Sequence, residues 1–207
     1  MGPSTLVLST RGIKARDRHL QRDLLRLLPH AKLGHKLGGE QQLSAVPAAA
    51  EEAGCDTALL LDARDPRRLY LWLARCPGGP SAMFRVLNVH TVAELKMARR
   101  RAAAARTLLV FDRRFDEDAA KRVMRALLTR AFAVPAEGAR RSQPKVQHTI
   151  NFAWLDERIW VRVYRIVFDG TLQQTDITEI GPRLVLDPVR IIANSFSGAL
   201  LYNTTYG

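Results

Sequence analysis

The residues in this sequence that could do chemistry are arginines in rows and aromatic rings set among them. Arg18, Arg22 and Arg26 recur at every fourth position, a spacing that stacks them as one ridge on a helix. Arg11-Gly12-Ile13-Lys14 forms a compact basic loop, Arg99, Arg100 and Arg101 form a cluster with Arg106, and Arg140, Arg141 and Lys145 share a polar connector with Pro144. Arg183 follows Gly181-Pro182. A guanidinium presents a planar fork of donors that meets two phosphate oxygens at once. Any one of these groups is explained as well by a solvated face. The whole set, in a chain with net charge +12, calls for an anionic partner: nucleic acid first, an acidic membrane second. Arginine supplies 26 of the 32 basic residues, a ratio that either phosphate recognition or a compositional bias would produce.

The second set lies between Ile150 and Tyr164. Asp156-Glu157 serves as a two-residue turn, which pairs Leu155 with Arg158, Trp154 with Ile159, Phe152 with Val161 and Ile150 with Val163. One face of that hairpin is then wholly apolar and must look at a core. The other carries Asn151, Ala153, Leu155, Arg158, Trp160, Arg162 and Tyr164. Rings between guanidinium groups either stack unpaired bases or are covered by protein with the arginine stems packed beside them. An open aromatic patch is rare on a soluble domain, so the covered arrangement is preferred.

Signals of catalysis are weak. Cys76-Pro77-Gly78-Gly79-Pro80-Ser81 resembles a phosphate-cradling loop only superficially, because the lysine that such a loop requires is missing. Cys76 and His90 are one thiol and one imidazole in a chain with five histidines, a poor nucleophile–base constellation. Asp116-Glu117-Asp118 reads as a helix start. The histidines lack metal-site spacing, and no cofactor or metal is expected. Two cysteines outside any CxxC pair suit reduced thiols, and the opening Met-Gly-Pro-Ser lacks a secretory pattern, so a soluble intracellular chain is expected.

The elements that must position these residues follow from periodicity. Residues 5–9 read as a buried strand, and 15–28 as a helix with Leu20, Leu24, Leu27 and Leu28 inward, stopped by Pro29. A glycine-rich connector, 34–39, leads to a helical stretch over 41–53 that contains Pro47. Strands are expected over 57–61, 69–73 and 82–89. Thr91 and Glu94 form a capping box for a helix that runs into Arg99–Arg101. A strand over 107–111 then precedes a helix that turns Val123, Leu127, Leu128 and Phe132 inward. A meander runs from His148 to Leu186, and Asp187-Pro188 reads as the cap and first turn of a final helix. Strand, basic helix and further strands thus occur twice, which predicts an α/β domain of two similar halves with a boundary near 102–106.

Several segments in order resemble the Brix-domain family: Ser9–Ile13 with Arg18-His19-Leu20, Leu28-Pro29-His30, Leu69–Leu73, Gly79–Ala82, Asn88–Thr91 with Glu94–Met97, Arg158-Ile159-Trp160 and Glu179–Arg183. Gly79–Ala82 and Asn88–Met97 look most like the large-subunit assembly factor from which the family takes its name. The resemblance implies one domain over 5–202, with halves of about 5–101 and 107–202, each similar to an anticodon-binding domain of class II aminoacyl-tRNA synthetases. It implies a non-enzymatic factor that binds ribosomal RNA in nucleolar precursors of the large (60S) subunit, beside an EBNA-binding-type nucleolar protein and away from membranes. Gly181-Pro182-Arg183 is the family's signature turn, in which Gly181 supplies permissive backbone and Arg183 either a phosphate contact or a structural ion pair. Residues 34–45 and the cations of 99–106 depart from the family pattern, and the basic tails usual in relatives do not occur within these residues. The alternatives are a paralogue that acts on another pre-ribosomal particle, an RNA-modifying or aminoacyl-transfer enzyme, and a pure protein scaffold.

Overall fold

The computed structural model describes residues 4–38, 43–95, 106–134, 146–168 and 174–204. Strand β1, Thr5–Thr10, is buried throughout, as a run of β-branched and leucine residues with both faces covered must be. Helix α1, Ala15–Leu27, buries Leu20 and Leu24, with Leu28 just beyond them. Asp17 accepts the Lys14 backbone N–H at 3.4 Å and so satisfies a donor at its start.

The next segment differs from the sequence expectation. Residues 34–37 are not connector but belong to strand β2, Ala31–Leu37, parallel to β1. A Cβ at Gly34 would come within 2.3 Å of the Leu8 side chain, so the glycine serves close strand packing rather than a turn. Helix α2 is shorter than the stretch over 41–53 and covers Val46–Glu52. Pro47 falls in its first turn, where a missing N–H costs nothing.

Strands β3 (Thr57–Asp62), β4 (Tyr70–Arg75) and β5 (Ser81–His90) follow. The capping box forms: Glu94 accepts the Thr91 N–H at 3.0 Å, and the Thr91 hydroxyl accepts the Glu94 N–H at 3.3 Å. The continuation toward Arg99 lies outside the described residues. Strand β6 (Arg106–Phe111) leads through a 3-10 turn to α3, Ala119–Phe132, capped by Asp118, which accepts the Lys121 N–H at 2.8 Å. Met124, Leu127, Leu128 and Phe132 are buried there, with Val123 only partly so. Strands β7 (Val146–Leu155), β8 (Arg158–Phe168), β9 (Gln174–Glu179), β10 (Arg183–Ile192) and β11 (Leu200–Asn203) complete the described residues.

Asp187-Pro188 does not start a helix; it lies inside β10. On one edge, pairing of β10 to β8 ends at Leu186 and pairing to β11 begins at Arg190. On the other, Pro188 pairs with Phe84 of β5 just before a register irregularity, the kind of position where a strand accommodates a proline. The Asp187 carboxylate is held by Arg85 of the neighbouring strand at 2.6 Å, not by a helix start.

All strands form one mixed sheet in the order β2-β1-β3-β4-β5-β10-β8-β7-β6, with β11 on β10 and β9 on β8. Without β2, the order reads alike from both ends: β1-β3-β4-β5 meets β10-β8-β7-β6 at the antiparallel β5–β10 seam. The pairs β1–β3 and β6–β7 are both parallel. One sheet face packs against α1 and α3 in a core that crosses the seam, and α2 covers Leu6, Leu8, Leu60 and Trp72 on the other. Helix α3 also ties the halves together. The Thr5 hydroxyl donates to the Ala131 carbonyl at 3.2 Å, and Arg130 meets Asp56 at 2.6 Å.

Two histidines, the buried His148 and the half-buried His30, are expected to make the fold sensitive to acid. Burial holds the His30 and His148 imidazoles below their ordinary value, and at His148 the Arg165 cation adds to the effect. A group whose folded pKa is depressed contributes stability above its unfolded value and loses it as the pH falls through the folded one. The melting temperature is therefore expected to drop as the pH is lowered from about 7 to about 5. His148→Gln, which cannot titrate, should make the drop shallower; an identical slope in the variant would remove His148 as a contributor.

Candidate nucleic-acid interface

The freest cations gather along α1. Arg18, Arg22 and Arg26 are exposed, as are Arg11 and Lys14 in the turn before the helix. At 1.5 Å per residue the helix carries Arg18 to Arg26 over about 12 Å. Gly12, with φ +87°, makes the tight turn between β1 and α1. Arg18 donates to the Ile13 carbonyl at 2.9 Å, and Arg26 sits 3.4 Å from Asp23. Asp23 is buried and accepts the Val92 N–H at 2.9 Å, which pins α1 to the turn after β5. Burial pushes its carboxyl above the usual range, while Val92 and Arg26 oppose the shift. His19, Arg22, Asp23, Arg26 and Ala93 line a small pocket of about 80 Å³ there.

The hairpin has the register expected from its turn. Leu155 pairs with Arg158, Trp154 with Ile159, Phe152 with Val161 and Ile150 with Val163. Asp156 and Glu157 have φ of 51° and 54°, the left-handed pair of a tight hairpin turn. Its apolar face enters the core: Ile150, Phe152, Trp154, Ile159, Val161 and Val163 are all buried. On the other face Trp160 and Tyr164 are half-buried. The Arg162 guanidinium lies 5.3 Å from the Trp160 ring centre, and the fully buried Val185 pairs with Trp160 from β10. The chain itself thus covers much of this indole. Trp160→Ala is expected to cost about 2 kcal/mol of stability, read by thermal melting. A variant that melts like the parent but binds RNA more weakly would instead make Trp160 a stacking platform.

The arginines of this face are already partnered. Asp187 lies between Arg85 at 2.6 Å and Arg158 at 3.9 Å. Glu179 lies between Arg183 at 2.6 Å and Arg162 at 3.9 Å. Both edge nitrogens of Arg183 donate to Glu179, at 2.6 and 2.7 Å, so of its two expected roles the structure displays the ion pair. Gly181, at φ +66°, supplies the permissive backbone of the signature turn. Each carboxylate shared by two arginines leaves one net positive charge, so the face is basic but internally held.

Arg106 opens β6. Arg99, Arg100, Arg101, Arg140, Arg141 and Lys145 lie outside the described residues. A further group escaped the sequence reading. Asp116, Arg122, Arg125, Ala126, Thr129, Arg130 and Ala133 line an open cleft of about 650 Å³ along α3. The spacing of Arg122 and Arg125 on the polar side of that helix was the available signal. Arg125 is held by Asp116 at 2.5 Å.

Cys76 and His90 do not meet. Cys76 is buried, 3.8 Å from the Ser195 hydroxyl, and burial raises its thiol pKa. His90 ends β5 at the opposite side of the sheet, about 30 Å away by strand rise. The adjoining loop serves packing, because a Cβ on Gly79 would sit 2.4 Å from the Asn194 Cα. Among the described residues no cluster of His, Cys, Asp and Glu could hold a metal ion, and no helix is long and apolar enough to cross a membrane.

With this geometry in place, comparison with known proteins is decisive for the family. The Brix domain model matches residues 10–190. The chain belongs to the Brix-domain family. It is 38% identical over 201 residues to the ribosome biogenesis protein BRX1 homolog of Xenopus laevis, covering 97% of this chain and 58% of that protein. The Drosophila melanogaster homolog is 40% identical over 200 residues, covering 95% and 54%. The Homo sapiens homolog is 38% identical over 201 residues, covering 97% and 56%. The chain therefore spans little more than half the length of these relatives. The crystal structure of a probable ribosomal biogenesis protein from Aeropyrum pernix K1 shares this fold at TM-score 0.58 and 18% identity, over 90% of this chain and 96% of that one.

Proposed function

We propose that this Brix-domain chain is a non-enzymatic ribosome assembly factor that binds ribosomal RNA in nucleolar precursors of the large (60S) subunit. The observation that carries the reading is the 38–40% identity, along nearly all of the chain, to proteins named as ribosome biogenesis factors. The exposed row from Arg11 to Arg26 supplies the chemistry. Among the described residues Arg11, Lys14, Arg18 and Arg22 form no salt bridge and Arg26 alone of the row meets Asp23; such cations can release counterions from a phosphate backbone. The hairpin face, with its arginines held by Asp187 and Glu179, is the poorer candidate for phosphate and the better one for protein, and the family resemblance points to an EBNA-binding-type nucleolar protein as a partner. The test is to isolate the tagged chain from cells, determine which precursor it co-sediments with, and map its crosslinks to RNA. Contacts to large-subunit ribosomal RNA from α1 and the loop before it are expected. Co-sedimentation with small-subunit precursors would favour a paralogue's role, and particles without RNA crosslinks would favour a scaffold.

A further inference from the structure

We infer that the open edge of β6 docks an extended peptide from another protein chain, apolar at alternate positions and acidic at its ends, which joins the sheet as a strand parallel to β6. This inference does not depend on the RNA reading. The main strand order ends in β2 and β6, with the short β9 and β11 attached beside it. The two end strands differ in the way that separates a guarded edge from an open one. β2 also exposes an apolar side chain, Leu33, but sets the exposed cations Lys32 and Lys36 and His35 around it, and its pairing with β1 is broken by an irregularity between Val7 and Ser9. β6 reads Arg-Thr-Leu-Leu-Val-Phe and pairs with β7 in unbroken register over all six residues. Leu108 and Val110 on it are 40% and 48% exposed. It carries no proline or lysine.

The internal symmetry gives this edge a precedent. β1 and β6 hold equivalent places in the strand order, each parallel to the next strand inward. The outer edge of β1 is filled by β2, in parallel. Among the described residues nothing pairs with the outer edge of β6. The sequence between α3 and β7, Pro135-Ala-Glu-Gly-Ala-Arg-Arg-Ser-Gln-Pro-Lys145, has no alternating apolar pattern to offer in its place.

Hydrogen bonding identifies the groups that would be used. The Asp112 N–H donates inward to the Phe152 carbonyl at 3.0 Å. Alternation along a strand then turns the backbone of Thr107, Leu109 and Phe111 outward. An added strand would bond to these three and lay its apolar side chains beside Leu108 and Val110. Charge selects the occupant. Arg113 and Arg114 are exposed just past the strand; of the acids there, Asp112 is turned to the Arg114 backbone N–H, Asp116 is held by Arg125, and Glu117 and Asp118 by Lys121. A second copy of a chain with net charge +12 would bring cations against cations. An acidic-ended peptide fits instead.

The probe is a labelled peptide of alternating valine and threonine with paired glutamates at each end, titrated against the intact protein by fluorescence anisotropy and amide hydrogen exchange. Binding is expected, with new protection at the Thr107, Leu109 and Phe111 amides. Thr107→Pro removes an outward N–H while sparing the β6–β7 bonds, and should weaken binding at least about tenfold. Val110→Lys, which places a cation on the strip without touching the backbone, should do the same and guards against misfolding of the first variant. RNA affinity should be unchanged in both. Absence of binding, binding indifferent to both substitutions, or dimerisation of the protein through this edge in sedimentation would overturn the proposal.

Discussion

Substituting Arg18, Arg22 and Arg26 together by glutamine is expected to weaken binding to large-subunit ribosomal RNA by roughly ten- to a hundredfold near physiological salt. The three side chains are exposed on one helix face, and only Arg26 meets a carboxylate among the described residues, at 3.4 Å. Each phosphate neutralised contributes about −0.7 to −0.9 to the slope of log affinity against log salt, so the triple variant should flatten that slope by about 2. Stability should change by no more than about 0.5 kcal/mol per site, because exposed substitutions remove little. The matched control is Arg158→Gln with Arg162→Gln, whose guanidinium groups already face Asp187 and Glu179 and should move the slope less. An unaltered slope in the triple variant would take α1 out of the interface.

Phe152→Ala is expected to destabilise the domain by about 3–5 kcal/mol, the usual range for truncating a buried phenylalanine. Phe152 is fully buried. Its ring stacks on Phe111 at 4.7 Å and meets Phe132 edge-on at 5.6 Å. It therefore joins β6, β7 and α3 at one point, and little around it can collapse into the space left. In a domain of this size the melting temperature should fall by roughly 10 °C or more. Leu155, on the opposite face of the same strand and 48% exposed, is the control; its replacement by alanine should cost less than about 0.5 kcal/mol. Similar losses at the two positions would mean that the hairpin register is wrong.

Much of the molecule was legible from local pattern. The two-residue period of Ile150–Tyr164, together with its turn, predicted every cross-strand pair of the hairpin named from the sequence, because a slip by one residue would turn Trp154 and Phe152 out of the core. Leucines at helical spacing marked α1, and Thr91 with Glu94 marked a capping box that forms. Resemblance in ordered segments led to the Brix-domain family, which the match over residues 10–190 bears out. The free cations of α1 were visible too, since a four-residue spacing stays on one side of a helix whatever it packs against.

What the sequence by itself could determine were properties settled within a few residues: strand alternation, helix stripes, turns, caps and net charge. Only the tertiary structure decided the rest, because each deciding partner is distant along the chain. Asp187-Pro188 has the local signature of a helix start, yet Arg85, 102 positions away, holds the carboxylate and strand pairing to β5 keeps the backbone extended. Gly34 reads as connector until Leu8 is brought to within a Cβ's reach of it. Arg158, Arg162 and Arg183 look as available as Arg18 and Arg22 until the sheet sets Asp187 and Glu179 between them. A charge's availability depends on what the fold places beside it: Arg183 at 2.6 Å from Glu179, and more loosely Arg158 and Arg162 at 3.9 Å from their carboxylates, have less to offer a phosphate than a guanidinium that faces water.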